Sequence, residues 1–533
     1  MGQDAATSYD TLPYHGNFIP MTHPDRMAAM AVLHGMKPPA VERCRVLELG
    51  CTNGGNLLTM AQTMPDASFL GVDLSPVQIA QGKTAAHAMG VANVELLTLD
   101  LTEVDDSFGL FDYIICHGIY SWVTALVRDK ILEICSRNLA PTGVAYVSYN
   151  IYPGWHQRRM LREMMLYHIQ GITDLTEQVQ QARALLDFVV HAATPDDGPY
   201  ALYLRAESKK FEKFPDTYVF HDYLAEENHP VYFHEFVAHA VPAGLRYLSH
   251  AMFSYEETRL SPAARQVIRR LGPDVTRREQ YIDFVLNRTF RQSLLCHAGL
   301  MTFDSPSPEA IRSLRLVAMA RPENSTPDLL SNSHEPFLTC YGVKLMVDEP
   351  LIKAALLALY QLWPRSASFE ELWTATLDLL GRSRVTAPTD STEFATSLLL
   401  CHMVQLVNLH TFDPPIATEP GERPRAGALA RRTAARGERV ISLRNHIAVL
   451  EEIDRLILPL LDGTRDQTAI VDDLATEVAA GKLKLKADGD LIVEPAMVRK
   501  ALEQTVNCRL QWIAYQALLV KENKEKEDIT DIC

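Results

Sequence analysis

Residues 45–55, which read RVLELGCTNGG, decide the fold of this 533-residue chain. The apolar run around Leu47 predicts a buried β-strand that leads directly into a turn beginning at Gly50. Apolar residues at helical spacing follow as far as Met64, and Pro65 ends that helix. A strand, a glycine turn and a helix in this order begin a βαβ unit, so the stretch predicts a parallel sheet covered by helices.

The same alternation of strands and helices continues along the N-terminal part of the chain. Further strands are predicted at 68–72, 94–99, 111–116 and 144–149, with a crossover of helix length before each of them. Residues 245–252 and 288–296 are predicted as a sixth strand and an antiparallel seventh strand at the edge. The predicted fold class is therefore α/β, a doubly wound, seven-stranded, Rossmann-like sheet.

Acidic residues stand where the predicted strands end, which is where such sheets bind ligands. Glu48 precedes Gly50 by two residues, a position from which it would repel a phosphate but attract an ammonium or sulfonium group. Asp73 ends the second strand and is placed to accept hydrogen bonds from both hydroxyls of a ribose. Asp100 ends the third strand, where an adenine amino group would lie. A nucleoside with a positive charge and no phosphate describes S-adenosyl-L-methionine.

The ordered motifs ELGCTNGG, GVDLS, LDL and FDYIICHG resemble those of class I S-adenosylmethionine-dependent methyltransferases. Residues 9–24, 117–123 and 148–155, together with the long extension, resemble bacterial methyltransferases that carry a methyltransferase regulatory domain. That group includes protein-lysine methyltransferases that modify outer-membrane proteins. The resemblance covers most of the chain and implies a cytoplasmic enzyme that uses S-adenosyl-L-methionine to methylate lysine in a protein substrate, an outer-membrane protein being one candidate.

The predicted cofactor-binding residues follow from these motifs. They are Tyr14, Glu48, Gly50, Thr52, Gly54, Asp73, Leu74, Asp100, Leu101 and His117. Thr52 departs from the Gly or Ala common at its position in the family, although Gly50 and Gly54 still fix the backbone path. No metal site is predicted, because the nine cysteines form no Cys-x-x-Cys pair and His234 and His239 are five residues apart on a predicted helix.

Methyl transfer is an in-line displacement, so alignment of the acceptor supplies most of the acceleration. The candidates for the walls and hydrogen bonds of the acceptor channel are Tyr120, Trp122, Tyr149 and Asn150. None of them is a strong base, and a lysine acceptor loses its proton near pH 7.5 at a cost of roughly 4 kcal/mol, so proton loss to water stays open. An equally open alternative is that Tyr120 and Trp122 are core aromatics.

Four polar residues before the sixth strand are candidates for attracting the lysine side chain. They are His221, Asp222, Glu226 and Glu227, with a solvated loop and helix-capping acids as the alternative.

Changes in composition predict several segments. They are a methyltransferase domain of 1–155 plus 217–304, a helical insertion at 156–216, a middle regulatory helical domain at 305–412, a linker at 413–439 and a winged-helix-like domain at 440–533. The insertion carries a methionine and leucine stripe that is either packed core or the face of a homodimer.

The net charge of −15 argues against a nucleic-acid partner. No apolar run is long enough to span a membrane, and the first 25 residues contain no secretion segment. Two alternatives to lysine methylation remain at this level, a small-molecule or natural-product methyltransferase and a non-catalytic cofactor-binding scaffold. The large C-terminal extension favours a macromolecular acceptor.

Overall fold

The computed structural model describes residues 16, 18–193, 198–253, 260–318, 320–339, 342–381, 389–487 and 490–521. Its main sheet contains the seven strands predicted from the sequence. They are β1 (Arg45–Leu49), β2 (Ser68–Asp73), β3 (Val94–Thr98), β4 (Phe111–Cys116), β5 (Leu139–Asn150), β6 (Leu245–His250) and β7 (Phe290–His297). The strand order is β3-β2-β1-β4-β5-β7-β6, and only β7 runs antiparallel to its neighbours. The predicted seven-stranded, Rossmann-like sheet is confirmed.

Helices cover both faces of this sheet. In chain order they are α1 (Pro24–Leu33), α2 (Gly55–Thr63), α3 (Pro76–Met89), α4 (Ala125–Arg137), α5 (Trp155–His168), α6 (Leu175–Ala193), α7 (Pro199–Phe211), α8 (Asp216–Val219), α9 (Phe233–Ala240), α10 (Pro262–Leu271) and α11 (Val275–Leu286). Helices α1, α2 and α3 pack against one face, which we call the cofactor face. Helices α4 and α9 pack against the opposite face.

The alternation of side chains along each strand determines which residues reach the cofactor face. Val46 in β1 and Tyr146 in β5 belong to the core on that face, whereas Leu47 and Tyr149 belong to the core on the opposite face. Glu48, His117 and Asn150 each lie an even number of residues from a side chain of the cofactor-face core on or before their own strand end, so they point to that face. Three of the predicted site residues therefore share one face of the sheet at its carboxyl edge.

The predicted helical insertion is present as α5–α8 and begins directly after β5. These helices and a π-helical turn at Phe220–Leu224 enclose a core of their own, to which Leu161, Val179 and Leu204 contribute. The insertion therefore rises from the carboxyl edge of the sheet, next to the predicted site.

Two smaller units follow the sheet. The middle unit contains α12 (Pro350–Leu362), α13 (Phe369–Leu380) and α14 (Thr389–Met403) with short strands β8 (Arg315–Val317), β9 (Arg321–Pro322), β10 (Glu335–Leu338), β11 (Lys344–Val347), β12 (Ala367–Ser368) and β13 (Asn408–His410). The C-terminal unit contains α15 (Ala428–Ala434), α16 (Glu452–Ile457), α17 (Gln467–Ala479) and α18 (Pro495–Tyr515) with hairpins β14–β15 (Arg439–Ile441, Ile447–Val449) and β16–β17 (Lys486–Ala487, Asp490–Leu491). Within the described ranges, no helix combines the length and apolar character needed to cross a bilayer.

The region predicted as a linker, 413–439, differs from that expectation. Helix α15 lies inside it, and Ala426, Ala430 and Ala434 are buried in the core of the C-terminal unit. Arginines flank these alanines in the sequence and gave the stretch the composition of a solvated hinge. The small alanine face is nevertheless enough to pack the helix.

Candidate active site

A sharp turn follows β1 and brings the glycine loop to the carboxyl edge of the sheet. Gly50 and Gly54 adopt φ values of 71° and 69°, which lie in the left-handed region that favours glycine. Thr52 adopts φ 52° between them, although a β-branched side chain is rarely found there. Its backbone N–H donates to Asp73 Oδ2 at 2.8 Å, and this bond holds the unusual conformation.

Asp73 connects the ends of β1 and β2. Besides the bond from Thr52, its Oδ1 accepts from the N–H of Ser75 at 2.9 Å. A carboxylate has about four acceptor sites, so a side chain fixed in this way can also accept from ribose hydroxyls. Asp73 therefore shapes the loop and is oriented for the role predicted from the sequence.

Glu48 is a buried carboxyl group with one oxygen that has no partner. Its Oε1 accepts from Asn56 Nδ2 at 2.7 Å, but Oε2 is buried and has no hydrogen-bond partner among the residues that the structure describes. Burial raises the pKa of Glu48 to about 8, with Asp73 adding to the effect and the Asn56 bond opposing it. A buried acceptor without a hydrogen bond costs folding free energy, so the unpaired Oε2 indicates that a cationic or hydrogen-bonding ligand binds here.

The ends of β2 and β3 provide an apolar surface beside these carboxylates. Leu74 follows Asp73 and is 49% exposed, and Leu101 follows Asp100 in a short 3₁₀ turn. Asp100 Oδ1 accepts from the N–H and the hydroxyl of Thr102 at 2.9 and 2.8 Å, which fixes the turn. An exposed leucine next to two oriented carboxylates is suited to a flat heterocycle with a polar edge.

His117 follows β4 on the cofactor face. Its Nδ1 lies 2.8 Å from the Tyr146 hydroxyl and 3.3 Å from Ser148 Oγ, and its ring meets the Phe290 ring edge-on at 5.9 Å. Burial lowers the pKa of His117 to about 4, so the ring is neutral near pH 7. A neutral ring does not repel a cationic cofactor.

Asn150 and Trp122 are the two candidate acceptor residues that lie at the carboxyl edge without a place in the opposite core. Asn150 is buried, and its Nδ2 has no hydrogen-bond partner. Trp122 is half-buried and meets Trp155 edge-on at 6.0 Å. The Nε1 of Trp155 is also a buried donor without a partner. Two unpaired donors at the end of β5 mark this edge as a place where a polar ligand group can bind.

Tyr120 and Tyr149 lie elsewhere, in the core on the opposite face. The Tyr120 hydroxyl bonds His239 Nδ1 at 2.6 Å, and the Tyr149 ring stacks on Phe236 at 4.0 Å. The Tyr149 hydroxyl bonds Ser293 Oγ at 2.8 Å. For Tyr120 this placement agrees with the core interpretation that the sequence left open. Tyr149 was predicted for the acceptor channel but lies in the opposite core, because its side chain alternates with that of Asn150 along β5. Neither side chain lines the cofactor face.

The four polar candidates before β6 do not form one cluster. His221 and Asp222 lie in the π-helical turn against the insertion, where burial raises the pKa of Asp222 to about 7 and Arg158 opposes the shift. Glu226 is exposed, and Glu227 bonds His229. The predicted cofactor residue Tyr14 lies outside the described residues.

Two site residues were not predicted from the sequence. Asn56 bonds Glu48, and Trp155, the first residue of α5, packs edge-on against Trp122. The available signal for Asn56 was a polar residue at the buried start of α2, within an otherwise apolar face.

Family models match three parts of the chain. They are a methyltransferase domain at 46–143, a predicted methyltransferase regulatory domain at 215–297 and a PKMT C-terminal winged helix domain at 422–518. An uncharacterized protein of Rickettsia prowazekii, RP789, is 34% identical over 520 residues, which span 96% of this chain and 93% of that protein. The structure of PKMT2 from Rickettsia typhi in complex with AdoHcy is 29% identical and superposes with a TM-score of 0.82 over 95% of this chain and 100% of that one.

The chain belongs to the PKMT-like family of S-adenosylmethionine-dependent protein-lysine methyltransferases.

In this PKMT-like methyltransferase, the methyltransferase model covers the glycine loop, Asp73, Asp100 and His117. The regulatory-domain model covers α9, β6 and the whole of β7, so these strands complete the sheet within a region that family models treat separately. The winged-helix model begins at residue 422 and includes α15, in agreement with its packing in the C-terminal core. The predicted class I methyltransferase with a regulatory domain and a winged-helix-like C-terminal region is confirmed.

Proposed function

We propose that the enzyme binds S-adenosyl-L-methionine at the carboxyl edge of the main sheet. Glu48 contacts the cofactor's ammonium group, because its buried Oε2 has no protein partner. Asp73 accepts from the ribose hydroxyls, and Asp100 accepts from the adenine amino group between Leu74 and Leu101. Gly50, Thr52 and Gly54 provide the backbone path, and His117 packs beside the cofactor as a neutral ring. The resemblance adds Tyr14 to this set.

The acceptor is a lysine side chain of a protein that reaches the cofactor beside Trp122 and Asn150. S-adenosyl-L-methionine, when bound, supplies a methyl group that is attached to a positively charged sulfur. The neutral lysine nitrogen accepts this methyl group while the carbon–sulfur bond breaks. Asn150 orients the amine through its buried amide, and Trp122 limits its approach to one direction. His117, whose pKa is lowered to about 4, is neutral near pH 7, so it does not repel the positively charged cofactor. The lysine proton leaves to water.

A protein acceptor is supported by the charge and size of the chain. The net charge is −15, and 236 residues follow the last strand of the sheet, an extension that a small acceptor does not require. Of the four polar candidates, Glu226 and Glu227 are the ones that can attract a lysine-bearing segment, because Glu226 is exposed and Glu227 is only half-buried. His221 is buried, and the raised pKa of Asp222 leaves it partly neutral near pH 7, so these two contribute little charge. We propose an outer-membrane protein as the substrate, methylated in the cytoplasm before export, on the basis of the family resemblance.

The insertion at 156–216 is proposed as the contact surface of a homodimer. The methionine and leucine stripe that the sequence offered for this face packs inside the insertion, where Leu161 and Met165 are buried. The support for a dimer comes instead from other large apolar side chains that are exposed on the insertion. They are Tyr167, Phe188, Tyr200 and Leu202, with exposed fractions of 76%, 68%, 46% and 56%. The remaining proposed units are the methyltransferase domain at 1–155 plus 217–304, the middle domain at 305–412 and the C-terminal domain, whose start we place at 422.

Transfer of a labelled methyl group to a bacterial lysate tests this proposal. The label should sediment with protein, become soluble after proteolysis and appear as methyl-lysine on amino-acid analysis. Label that is small and soluble before proteolysis would instead identify a small-molecule methyltransferase. Binding of S-adenosylhomocysteine in isothermal titration without any transfer of label would identify the non-catalytic cofactor-binding scaffold, and failure to bind would refute the proposed cofactor site. Exposed Asp66→Ala is a matched control for variants in the loop region.

A further inference from the structure

Asn56, at the start of α2, uses its whole amide group to connect Glu48 with the N-terminal segment. Its Nδ2 donates to Glu48 Oε1 at 2.7 Å and to Thr22 Oγ1 at 2.9 Å, while its Oδ1 accepts from the N–H of Ile19 at 3.0 Å. Asn56 and Thr22 are both buried. Rotating the amide by 180° would place donors against the Ile19 N–H and an acceptor against Glu48, so one orientation is fixed.

Asp25, three residues after Thr22, connects the same segment with the middle domain. Its Oδ1 accepts from the N–H and hydroxyl of Thr411 at 2.6 and 2.8 Å, and its Oδ2 lies 2.5 Å from His410 Nδ1. Burial alone would raise the pKa of Asp25, but His410 and Thr411 outweigh it and lower the pKa to about 2. The carboxylate is therefore charged near neutral pH, where it bonds His410 and Thr411 of the middle domain.

His23 lies between Thr22, which contacts Asn56, and Asp25, which contacts the middle domain, and it adds a further contact to that domain. Its Nδ1 accepts from the N–H of Asp25 at 3.2 Å, and its ring stacks on Phe412 at a centroid distance of 6.3 Å and an interplanar angle of 8°. A continuous series of buried contacts thus runs from Glu48 through Asn56 and the segment Ile19–Asp25 to residues 410–412.

We propose that Asn56 is a positioning residue for Glu48 and that the middle domain controls Asn56 through the segment Ile19–Asp25. Docking of the middle domain at Asp25 holds Thr22 and Ile19 against Asn56, and Asn56 holds Glu48 where its free oxygen meets the cofactor. Because such coupling is reciprocal, cofactor binding also strengthens the docking of the middle domain. The inference rests on the proposed contact of Glu48 with the cofactor.

Isothermal titration with S-adenosylhomocysteine tests the affinity side of this coupling. Asn56→Ala should weaken binding about tenfold, and Asp25→Asn and Thr411→Val should each weaken it by a few fold, since each removes one hydrogen-bonding group from the series. The double variant Asn56→Ala with Thr411→Val should bind no more weakly than Asn56→Ala alone, because the connection is already broken. Gln62→Ala is the matched control, since Gln62 lies on the same helix but contacts the C-terminal unit through the Leu429 N–H.

Hydrogen exchange at the Thr411 amide tests the reciprocal side without requiring a folded Asp25 variant. Adding S-adenosylhomocysteine should slow exchange at this amide in the unmodified protein and should leave it unchanged in Asn56→Ala. Unchanged exchange in the unmodified protein, or normal cofactor affinity in Thr411→Val, would overturn the coupling. Normal affinity in Glu48→Gln would instead refute the proposed cofactor contact, so the two failures are distinguishable.

Discussion

Glu48 is kept in the fold at a cost to stability. Its pKa is raised from 4.5 to about 8 because burial disfavours the charged form. A carboxyl group with a raised pKa in the folded state contributes most to stability below pH 4.5, and that contribution is lost as the pH rises through 8. At ~1.4 kcal/mol per pKa unit, the loss is at most about 5 kcal/mol. A functional role for the side chain explains why a carboxyl group stands in this position.

We therefore expect Glu48→Gln to stabilise the cofactor-free protein while weakening cofactor binding. Its melting temperature should exceed that of the unmodified protein at pH 8.5, and the difference should shrink towards pH 5, where Glu48 is already neutral. Affinity for S-adenosylhomocysteine should fall at least tenfold, since the ammonium contact loses its charge. Thermal denaturation across this pH range and isothermal titration measure the two effects. The control is Glu42→Gln, at an exposed position, which should change neither the melting temperature nor the affinity for S-adenosylhomocysteine.

Glu48 also predicts a proton release that accompanies cofactor binding. Near pH 7 the carboxyl group is largely protonated in the empty site because its pKa is about 8. Contact with an ammonium group favours the carboxylate, so the proton should be expelled. Titrations in buffers of different ionisation enthalpy should show the release of close to one proton at pH 7 and none in Glu48→Gln. Equal proton release by both proteins would contradict this assignment.

Asp73 bonds the glycine loop, and we propose that it contacts the cofactor as well. Asp73→Ala should weaken cofactor binding at least tenfold, because two charge-assisted hydrogen bonds are worth ~1.5–3 kcal/mol each. The structure adds that the variant also releases the Thr52 N–H from its acceptor. Asp73→Asn keeps an oxygen for that bond and should therefore bind better than Asp73→Ala but worse than the unmodified protein. Isothermal titration measures the cofactor affinity of the unmodified protein and of both variants. If Asp73→Ala bound the cofactor as tightly as the unmodified protein, the motif would be misassigned.

At the scale of elements, strand ends are predictable because they combine an apolar run with a following polar residue or glycine. The observed β4 has the predicted bounds. Asp73 ends β2 and Asp100 lies two residues after β3, and these two strands are neighbours in the sheet. β5 begins at Leu139, five residues before the prediction, since Pro141 and Gly143 gave its start the pattern of a turn.

The face on which a strand-end residue lies was not predictable for Tyr120 and Tyr149. Parallel strands are buried on both sides, so their sequence lacks the polar and apolar alternation that would mark the cofactor face. The contact of Asp25 with His410 joins residues 385 positions apart, and no local pattern indicates such a pair. The strand-end positions of Glu48, Asp73 and Asp100 could therefore be predicted from the sequence, whereas the faces of Tyr120 and Tyr149 and the connection to the middle domain required the structure.

Gly82 shows how closely α3 packs against the glycine loop. A Cβ atom at Gly82 would lie 2.4 Å from the backbone oxygen of Asn53 and 2.5 Å from Leu96 Cδ1. Although alanine raises helix propensity by ~1 kcal/mol over glycine, Gly82→Ala should destabilise the protein because the loop backbone must move. Thermal denaturation should show a lower melting temperature, and titration should show weaker binding of S-adenosylhomocysteine. Exposed Thr84→Ala, on the same helix, should stabilise slightly and bind normally.

At the scale of the whole molecule, the C-terminal unit contacts both the cofactor helix and the middle unit. Gln62 Oε1 on α2 accepts from the Leu429 N–H of α15 at 2.7 Å. Arg444 donates to the Pro364 carbonyl at 2.9 Å and also bonds Asp413. The described part of the chain therefore joins its C-terminal unit to the rest by specific buried contacts, and its position is fixed relative to the cofactor site.

Trp363 makes the contact between the middle and C-terminal units that is easiest to test. Its indole Nε1 donates to the Tyr515 carbonyl at 2.6 Å, and its ring packs in a small core with Val317 and Ala517. Trp363→Phe retains an aromatic ring but leaves the Tyr515 oxygen without this donor, which costs about 1–3 kcal/mol for a buried group. The C-terminal unit should then melt at a lower temperature than the rest, which gives two calorimetric transitions.

Trp373→Phe is the matched control for this prediction, because Trp373 packs on Phe394 inside the middle unit at 5.0 Å and does not connect the two units. It should lower the melting temperature of the middle unit without separating the C-terminal transition. Differential scanning calorimetry of the full chain distinguishes the two variants. Identical profiles for both variants would mean that the Trp363–Tyr515 bond does not couple the units, and that other contacts, such as those of Arg444, hold the C-terminal unit in place.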